Sequence, residues 1–224
     1  MPESTIPSSP LLANPKQDII HNWYKSSNID YISPFMKLWV SFNVWYNIKF
    51  STSKHPKDSE AIKKLKENDD LNEVFKQMLR ATSDEGGEFR KSLSILIEET
   101  RNQPLLNDKG KNVFFQKSDI TLKIKSNFQK KLMEIKSSED DGNKISLADF
   151  VAQENNGILL DYTENVIITT EAKTIFTELL DVLYQVRCHV FHGSLDTEDK
   201  RTQRLVKNAY IILTNMYKPG LRGI

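Results

Sequence analysis

Tyr184-Gln185-Val186-Arg187-Cys188-His189-Val190-Phe191-His192-Gly193 closes a helical pattern that begins at Glu171. One apolar stripe reads Ala172, Ile175, Leu179, Leu183, Val186 and Val190. A second reads Phe176, Leu180, Tyr184, Arg187 and Phe191. Steps of three and four residues put each set on one helix face. Two adjacent apolar stripes predict a helix buried on two sides. Gly193 is placed to end it, because glycine readily adopts the left-handed conformation of a helix terminus. A helix of this kind needs other helices around it, so the expected fold is mainly α.

Working outward, Pro34 opens a second strong pattern over residues 34–50, in which Phe35, Leu38, Trp39, Phe42, Trp45, Tyr46 and Lys49 step at three and four. Residues 57–67 and 69–81 read as shorter polar helices. Asp84-Glu85-Gly86-Gly87 reads as a break before a helix over Glu88–Asn102, which ends ahead of Pro104. The last helix is expected from about Thr197 to Tyr217, capped by Asp196, with an inner stripe of Leu205, Ala209, Ile212 and Met216. Residues 1–14, with three prolines among Ser and Thr, read as a flexible tail, and 15–26 as a helix. The rest, 15–224, reads as a single domain with a small mixed α/β insertion at about 103–168. In it, Asn107-Asp108-Lys109-Gly110 is a turn signal between Leu105-Leu106 and Val113-Phe114-Phe115. Strands are expected at Ile120–Ile124, Ile158–Leu160 and Val166–Ile168, an acidic loop at Ser137–Lys144 and a short helix at Ser146–Gln153.

The whole chain of 224 residues carries 31 Lys+Arg against 30 Asp+Glu, so net charge argues neither for nor against nucleic acid. The single cysteine, Cys188, excludes an internal disulfide framework and suits a reducing, cytoplasmic setting. No secretory signal opens the chain, and no apolar run reaches the roughly 20 residues of a membrane helix. The reading is therefore a soluble protein with no membrane association. No His/Cys/Asp cluster stands at metal-ligand spacing, and Gly86-Gly87 lacks the Gly-Lys-Ser/Thr of a phosphate loop, so no metal and no cofactor are expected.

Arg187 and His192 carry the chemistry. Arginine forks onto phosphates and is always charged. Histidine moves protons near neutral pH. On an apolar stripe, Arg187 either pairs with a carboxylate or waits for an anionic ligand. His192 either caps the helix or acts on a substrate. Five residues at about 100° each leave the two roughly 140° apart on a straight helix. They converge only if the last turn distorts or a second copy of the chain completes the site. Cys188, at i, i+4 to His192, shares its face and is placed to orient it. His189 faces the other way and suits capping or packing. Asn43 and Asn47, four apart on the aromatic helix, read as hydrogen-bonding supports of the Arg187 site. Glu98 and Glu99 read as solvated.

Arg187-Cys188-His189-Val190-Phe191-His192 resembles the R-x4-6-H motif of HEPN domains. The flanks, Tyr184–Val186 before it and Leu205–Leu213 after it, agree, and Leu38–Asn47 is similar to the aromatic helix of that superfamily. The resemblance implies a HEPN-like helical bundle, usually dimeric, with Arg187 and His192 as catalytic pair of a metal-independent endoribonuclease. It implies roles in host or antiviral defence, toxin–antitoxin systems or RNA processing, with a possible neutralising or regulatory protein partner. Active members usually carry Asn or Asp after the arginine, where this chain has Cys188. The alternative is a non-catalytic HEPN module that binds RNA, nucleotide or a protein. The width of the second stripe, through Phe176, Leu180, Tyr184 and Phe191, makes it the expected homodimer surface.

Charge adds a candidate RNA interface. After Asp199 no acidic residue follows, and Lys200, Arg201, Arg204 and Lys207 are all basic. Arg201, Arg204 and Asn208 are expected to form an outward row that tracks phosphates. Lysines from Lys109 to Lys136 form a second basic region.

Overall fold

Pro34 sits in the first turn of helix α1, Ile32–Phe50, where its missing N–H costs nothing. The computed structural model describes residues 30–50, 58–116, 158–161, 166–168, 171–196 and 198–218. Those from Tyr31 onward belong to one compact unit. The expected tail and helix within 1–26, the strand at 120–124, the loop at 137–144 and the helix at 146–153 lie outside the described residues.

Six helices dominate the described residues. After α1 come α2 (Asp58–Lys66), α3 (Asp69–Arg80), α4 (Asp84–Asn102), α5 (Ala172–Phe191) and α6 (Lys200–Tyr217). The aromatic face of α1 builds the centre: Phe35, Trp39, Phe42, Trp45 and Tyr46 are all buried. Phe42 and Trp45 meet Tyr217 of α6 at 5.4 and 5.8 Å between ring centroids. Trp39 meets Tyr184 of α5 at 6.4 Å. Tyr217 also donates its hydroxyl to the Ser41 carbonyl at 3.2 Å. Each such ring is worth roughly 1.5–3 kcal/mol in burial alone.

Helix α5 runs through this centre. Ile175, Leu179, Leu183 and Val186 are buried, as the first stripe requires. Phe176 and Leu180 of the second stripe are just as buried, 0% and 1% exposed, with Phe176 packed against Phe75 of α3. The helix is therefore covered on two sides by its own chain. The expectation that the second stripe forms a homodimer surface fails for these two residues; α3 covers the face. Phe191 alone emerges, 63% exposed. The helix ends in a Schellman turn: Ser194 N–H donates to the His189 carbonyl and Gly193 N–H to the Val190 carbonyl, with Gly193 at φ +63°.

Two helix starts differ from expectation. The Asp84–Gly87 stretch is the first turn of α4, not a break. Ser83 accepts from the Gly86 N–H, and Asp84 and Glu85 complement the positive end of the helix dipole. Gly86 is needed for space, because a Cβ there would lie 2.5 Å from the Ala81 carbonyl oxygen. Helix α6 is capped by Asp199, which accepts from the Thr202 N–H, whereas Asp196 accepts from the Glu198 N–H in the turn before. The inner stripe Leu205, Ala209, Ile212 and Met216 is buried as expected.

The strands form two separate antiparallel pairs. β1 (Leu105–Leu106) pairs with β2 (Asn112–Val113) around a turn in which Asn107 Oδ1 accepts from Lys109 and Lys111 N–H. β3 (Ile158–Asp161) pairs with β4 (Val166–Ile168), with a register irregularity between Leu159 and Asp161. Both pairs stand where the sequence places them.

Two measurements check this account. Gly86→Ala should destabilise the protein by about 1–3 kcal/mol, the cost of forcing a methyl into packed structure. Gly87→Ala, with nothing within 4 Å of its Cβ, should be neutral or stabilising by up to about 1 kcal/mol. Urea unfolding of both variants would read the contrast. At the other cap, the Thr202 N–H holds the Asp199 carboxyl below the usual carboxylate range. A depressed folded-state pKa stabilises above the unfolded value, about 3.9, and the gain is lost as pH falls through the folded value. Asp199→Ala should therefore lower the melting temperature at pH 5–7 and converge on the parent only as pH falls below about 3.9.

Candidate functional site

Asp58, the first residue of α2, meets Arg187 near the end of α5. Arg187 Nη2 lies 3.2 Å from Asp58 Oδ2, with the two side chains 20% and 25% exposed. The other carboxylate oxygen accepts from Asn43 Nδ2 at 3.0 Å and from the Tyr46 hydroxyl at 3.4 Å. Asn43 Nδ2 also donates to that hydroxyl, and Asn43 Oδ1 accepts from Asn47 Nδ2 at 2.9 Å. The chain Asn47–Asn43–Asp58–Arg187 thus fixes the guanidinium from α1 through α2. Asn43 and Asn47 take the supporting place their spacing suggests. Among the described residues, Arg187 Nε is buried without a hydrogen-bond partner.

Arg187 also approaches an exposed aromatic ring. Its guanidinium carbon stands 5.0 Å from the centroid of the exposed Phe191 ring. The His192 ring lies edge-on to that ring, 5.6 Å away at 90°. Arg187 and His192 do not share a helix face, as the 3.6-residue period requires, yet both touch one exposed aromatic ring. His192 is itself exposed and caps the helix through its backbone N–H to the Cys188 carbonyl. Among the described residues neither of its ring nitrogens has a hydrogen-bond partner.

Cys188 and His189 take other parts. The Cys188 sulfur lies 3.8 Å from Arg187 Nη1. It attends the arginine rather than orienting His192. The Tyr184 phenol is pushed up to about 12, first by burial and then by Cys188. Tyr46 is raised as well, by burial and then by the Asp58 charge. Both phenols are neutral donors at pH 7, so neither serves as a base. His189 Nε2 lies 2.7 Å from the Leu106 carbonyl and must donate to it, while Nδ1 lies 2.7 Å from Ser194 Oγ. It fastens the β1–β2 hairpin to α5, in keeping with a packing role.

The basic row on α6 is rearranged. Arg201 does not point outward: it donates to the Glu99 and Gln103 carbonyls at 3.1 and 2.7 Å and pairs with the Glu99 carboxylate at 3.4 Å. Arg204 bridges Glu98 and Glu99 at 3.7 and 3.3 Å. Asn208 is buried and donates to the Arg204 carbonyl. The negative end of α4 supplies both the acceptors and the charge that draw these arginines in. Glu99, 15% exposed, is accordingly not solvated. Lys200 and Lys207 remain exposed, Lys207 standing 5.5 Å from the Tyr31 ring. In the second basic region, Lys109 and Lys111 are exposed; the lysines beyond them fall outside the described residues.

On α1, the exposed Val40, Val44 and Ile48 form an i, i+4, i+8 line beside Asn43 and Asn47. Among the described residues no cluster of His, Cys, Asp or Glu could hold a metal ion, and no helix is long and apolar enough to cross a membrane. No protein-family model matches the chain, no curated protein matches its sequence and no solved structure matches its fold.

The partner that sequence reasoning missed is Asp58. Nothing in its neighbourhood marks it, since only the packing of α2 against α5 brings it to Arg187. Asp58→Ala should cost more stability than Arg187→Ala, although alanine removes the smaller side chain. Without Asp58, the guanidinium, Asn43 and Tyr46 all lose an acceptor, a loss of about 1–3 kcal/mol for partly buried groups. Without Arg187, the carboxylate keeps its other two donors. Urea midpoints of the two single variants and the double variant would measure both costs and their coupling.

Proposed function

We propose that the chain is a HEPN-type, metal-independent endoribonuclease whose working site is built from two copies of the R-x4-H motif. The observation that carries this reading is the exposed Phe191 ring, which both Arg187 and His192 approach. A structural role accounts for Arg187 through Asp58. It does not account for an exposed histidine with both nitrogens open beside that arginine.

The chemistry follows from the groups present. The RNA 2′-hydroxyl attacks the adjacent phosphorus, the O2′–P bond forms and the P–O5′ bond breaks. His192 of one copy takes the 2′-hydroxyl proton, and His192 of the second copy protonates the departing 5′ oxygen. The products are a 2′,3′-cyclic phosphate and a 5′-hydroxyl. Arg187 binds the phosphate oxygens on which charge grows. Asp58 is a positioning residue, because it holds the guanidinium through Nη2 while Nη1 stands beside Cys188. The line of Val40, Val44 and Ile48 beside the site offers apolar surface to the second copy. Lys200 and Lys207 are the α6 cations available to flanking RNA, with Arg201 and Arg204 serving α4 first.

The Arg187–Asp58 ion pair favours a second reading, a non-catalytic HEPN module that binds RNA, nucleotide or a protein, because the pair cancels the charge a phosphate would seek. Incubation with mixed RNA in EDTA separates the two. Cleavage should persist in EDTA, spare DNA and leave cyclic-phosphate ends. His192→Ala and Arg187→Ala should fold and lose roughly 10²-fold or more in rate, the scale of general acid–base catalysis. Asp58→Asn should lose less than Arg187→Ala, and Cys188→Ser less still. Cleavage that survives His192→Ala, or that needs a divalent ion, would remove the first reading and leave the second.

A further inference from the structure

A groove of about 610 Å³ opens between α2, the β1–β2 hairpin and α5, within the roughly 300–1,000 Å³ range of small-molecule sites. Its floor is a polar line on an otherwise apolar helix: Thr174, Thr177, Glu178, Asp181, Tyr184 and Gln185 of α5 fall at three- and four-residue steps. The hairpin contributes Asn112 and Phe114, and α2 contributes Ile62 and Lys63. Lys66 is spent on Asp181, 2.5 Å away, whereas Lys63 has no carboxylate partner among the described residues. The lining thus combines aromatic surface, amides that both donate and accept, hydroxyls and one open cation at the rim.

The groove adjoins the Arg187 site at two points along the chain. Ser59 of its wall follows Asp58, and Tyr184 of its floor precedes Arg187 by three residues, about 4.5 Å along the helix axis. Tyr184 also lies one turn before Cys188, whose sulfur stands 3.8 Å from Arg187 Nη1. Single-stranded RNA is read by splaying a base out, laying it on an aromatic ring and bonding its edge to side chains.

We propose that this groove is a nucleotide subsite: it takes the base and ribose of the RNA residue next to the phosphate held by Arg187. Phe114 and Tyr184 provide the apolar surface, Gln185 and Asn112 face the base edge, and Lys63 meets the flanking phosphate. The proposal rests on the reading that Arg187 holds an RNA phosphate, and it assigns sequence preference to α5 and the hairpin rather than to the basic helix α6.

The test separates the groove from the cleavage site. Calorimetric titration would use the four ribonucleoside 5′-monophosphates and a set of ribodinucleotides. The parent should bind at least one dinucleotide about tenfold or more tightly than its component mononucleotides. Thr177→Trp, which fills the groove from the helix surface, should weaken both about tenfold or more with an unchanged circular dichroism spectrum. Arg187→Ala should reduce dinucleotide affinity to the mononucleotide level. Gln185→Ala should keep the fold and change the base preference at cut sites in a randomised RNA. Nucleotide binding indifferent to Thr177→Trp, or no saturable binding at all, would overturn the subsite. Cleavage that depends on His192 but cuts the same positions in Gln185→Ala and Thr177→Trp would overturn it while leaving the nuclease reading intact. Groove-dependent nucleotide binding without any cleavage would uphold the groove and remove the nuclease.

Discussion

Burial of α5 is the constraint on which the other elements depend. Its apolar stripes are covered by α1, α2, α3 and α6, and its polar side is taken up by the line that floors the groove. Arg187 arrives while the helix is still enclosed, so its charge must be met inside the fold. The meeting fixes the start of α2 through Asp58 and the middle of α1 through Asn43 and Tyr46. One helix, laid through the core, therefore determines where two others begin or cross. It also determines where the end of the helix presents a reactive group, since Phe191 and His192 clear the packing there.

Periodic features were legible in advance. The aromatic spacing from Phe35 to Tyr46, the double stripe of α5, the Asn107–Gly110 turn and the inner face of α6 all report local repeats that a period of two or 3.6 exposes. Features created by contact between distant segments were not. The homodimer role given to Phe176 and Leu180 failed because a wide apolar face does not say whether its cover comes from the same chain. Arg201 was read outward because a helical wheel cannot show the end of α4 standing opposite; Arg204 stays exposed but is paired there with Glu98 and Glu99. Gly86 was read as a break because glycine's intrinsic helix cost conceals its value where two backbones nearly touch.

The candidate site divides along the same line. Arg187, His192 and the supporting asparagines could be named from motif and spacing. The carboxylate that governs Arg187 could not, because residues 58 and 187 meet only in three dimensions. The groove could not be named either, because it becomes a cavity only when α2 and the hairpin wall it.

The fastening of the hairpin to α5 gives the molecule a mechanical link. A single imidazole, His189, holds the Leu106 carbonyl on one side and Ser194 on the other, so strand β1 and the turn after α5 move as one piece. That turn positions His192, and the hairpin walls the groove. Strain placed on the far tip of the hairpin is therefore delivered, as through a peg joint, to the backbone that carries His192.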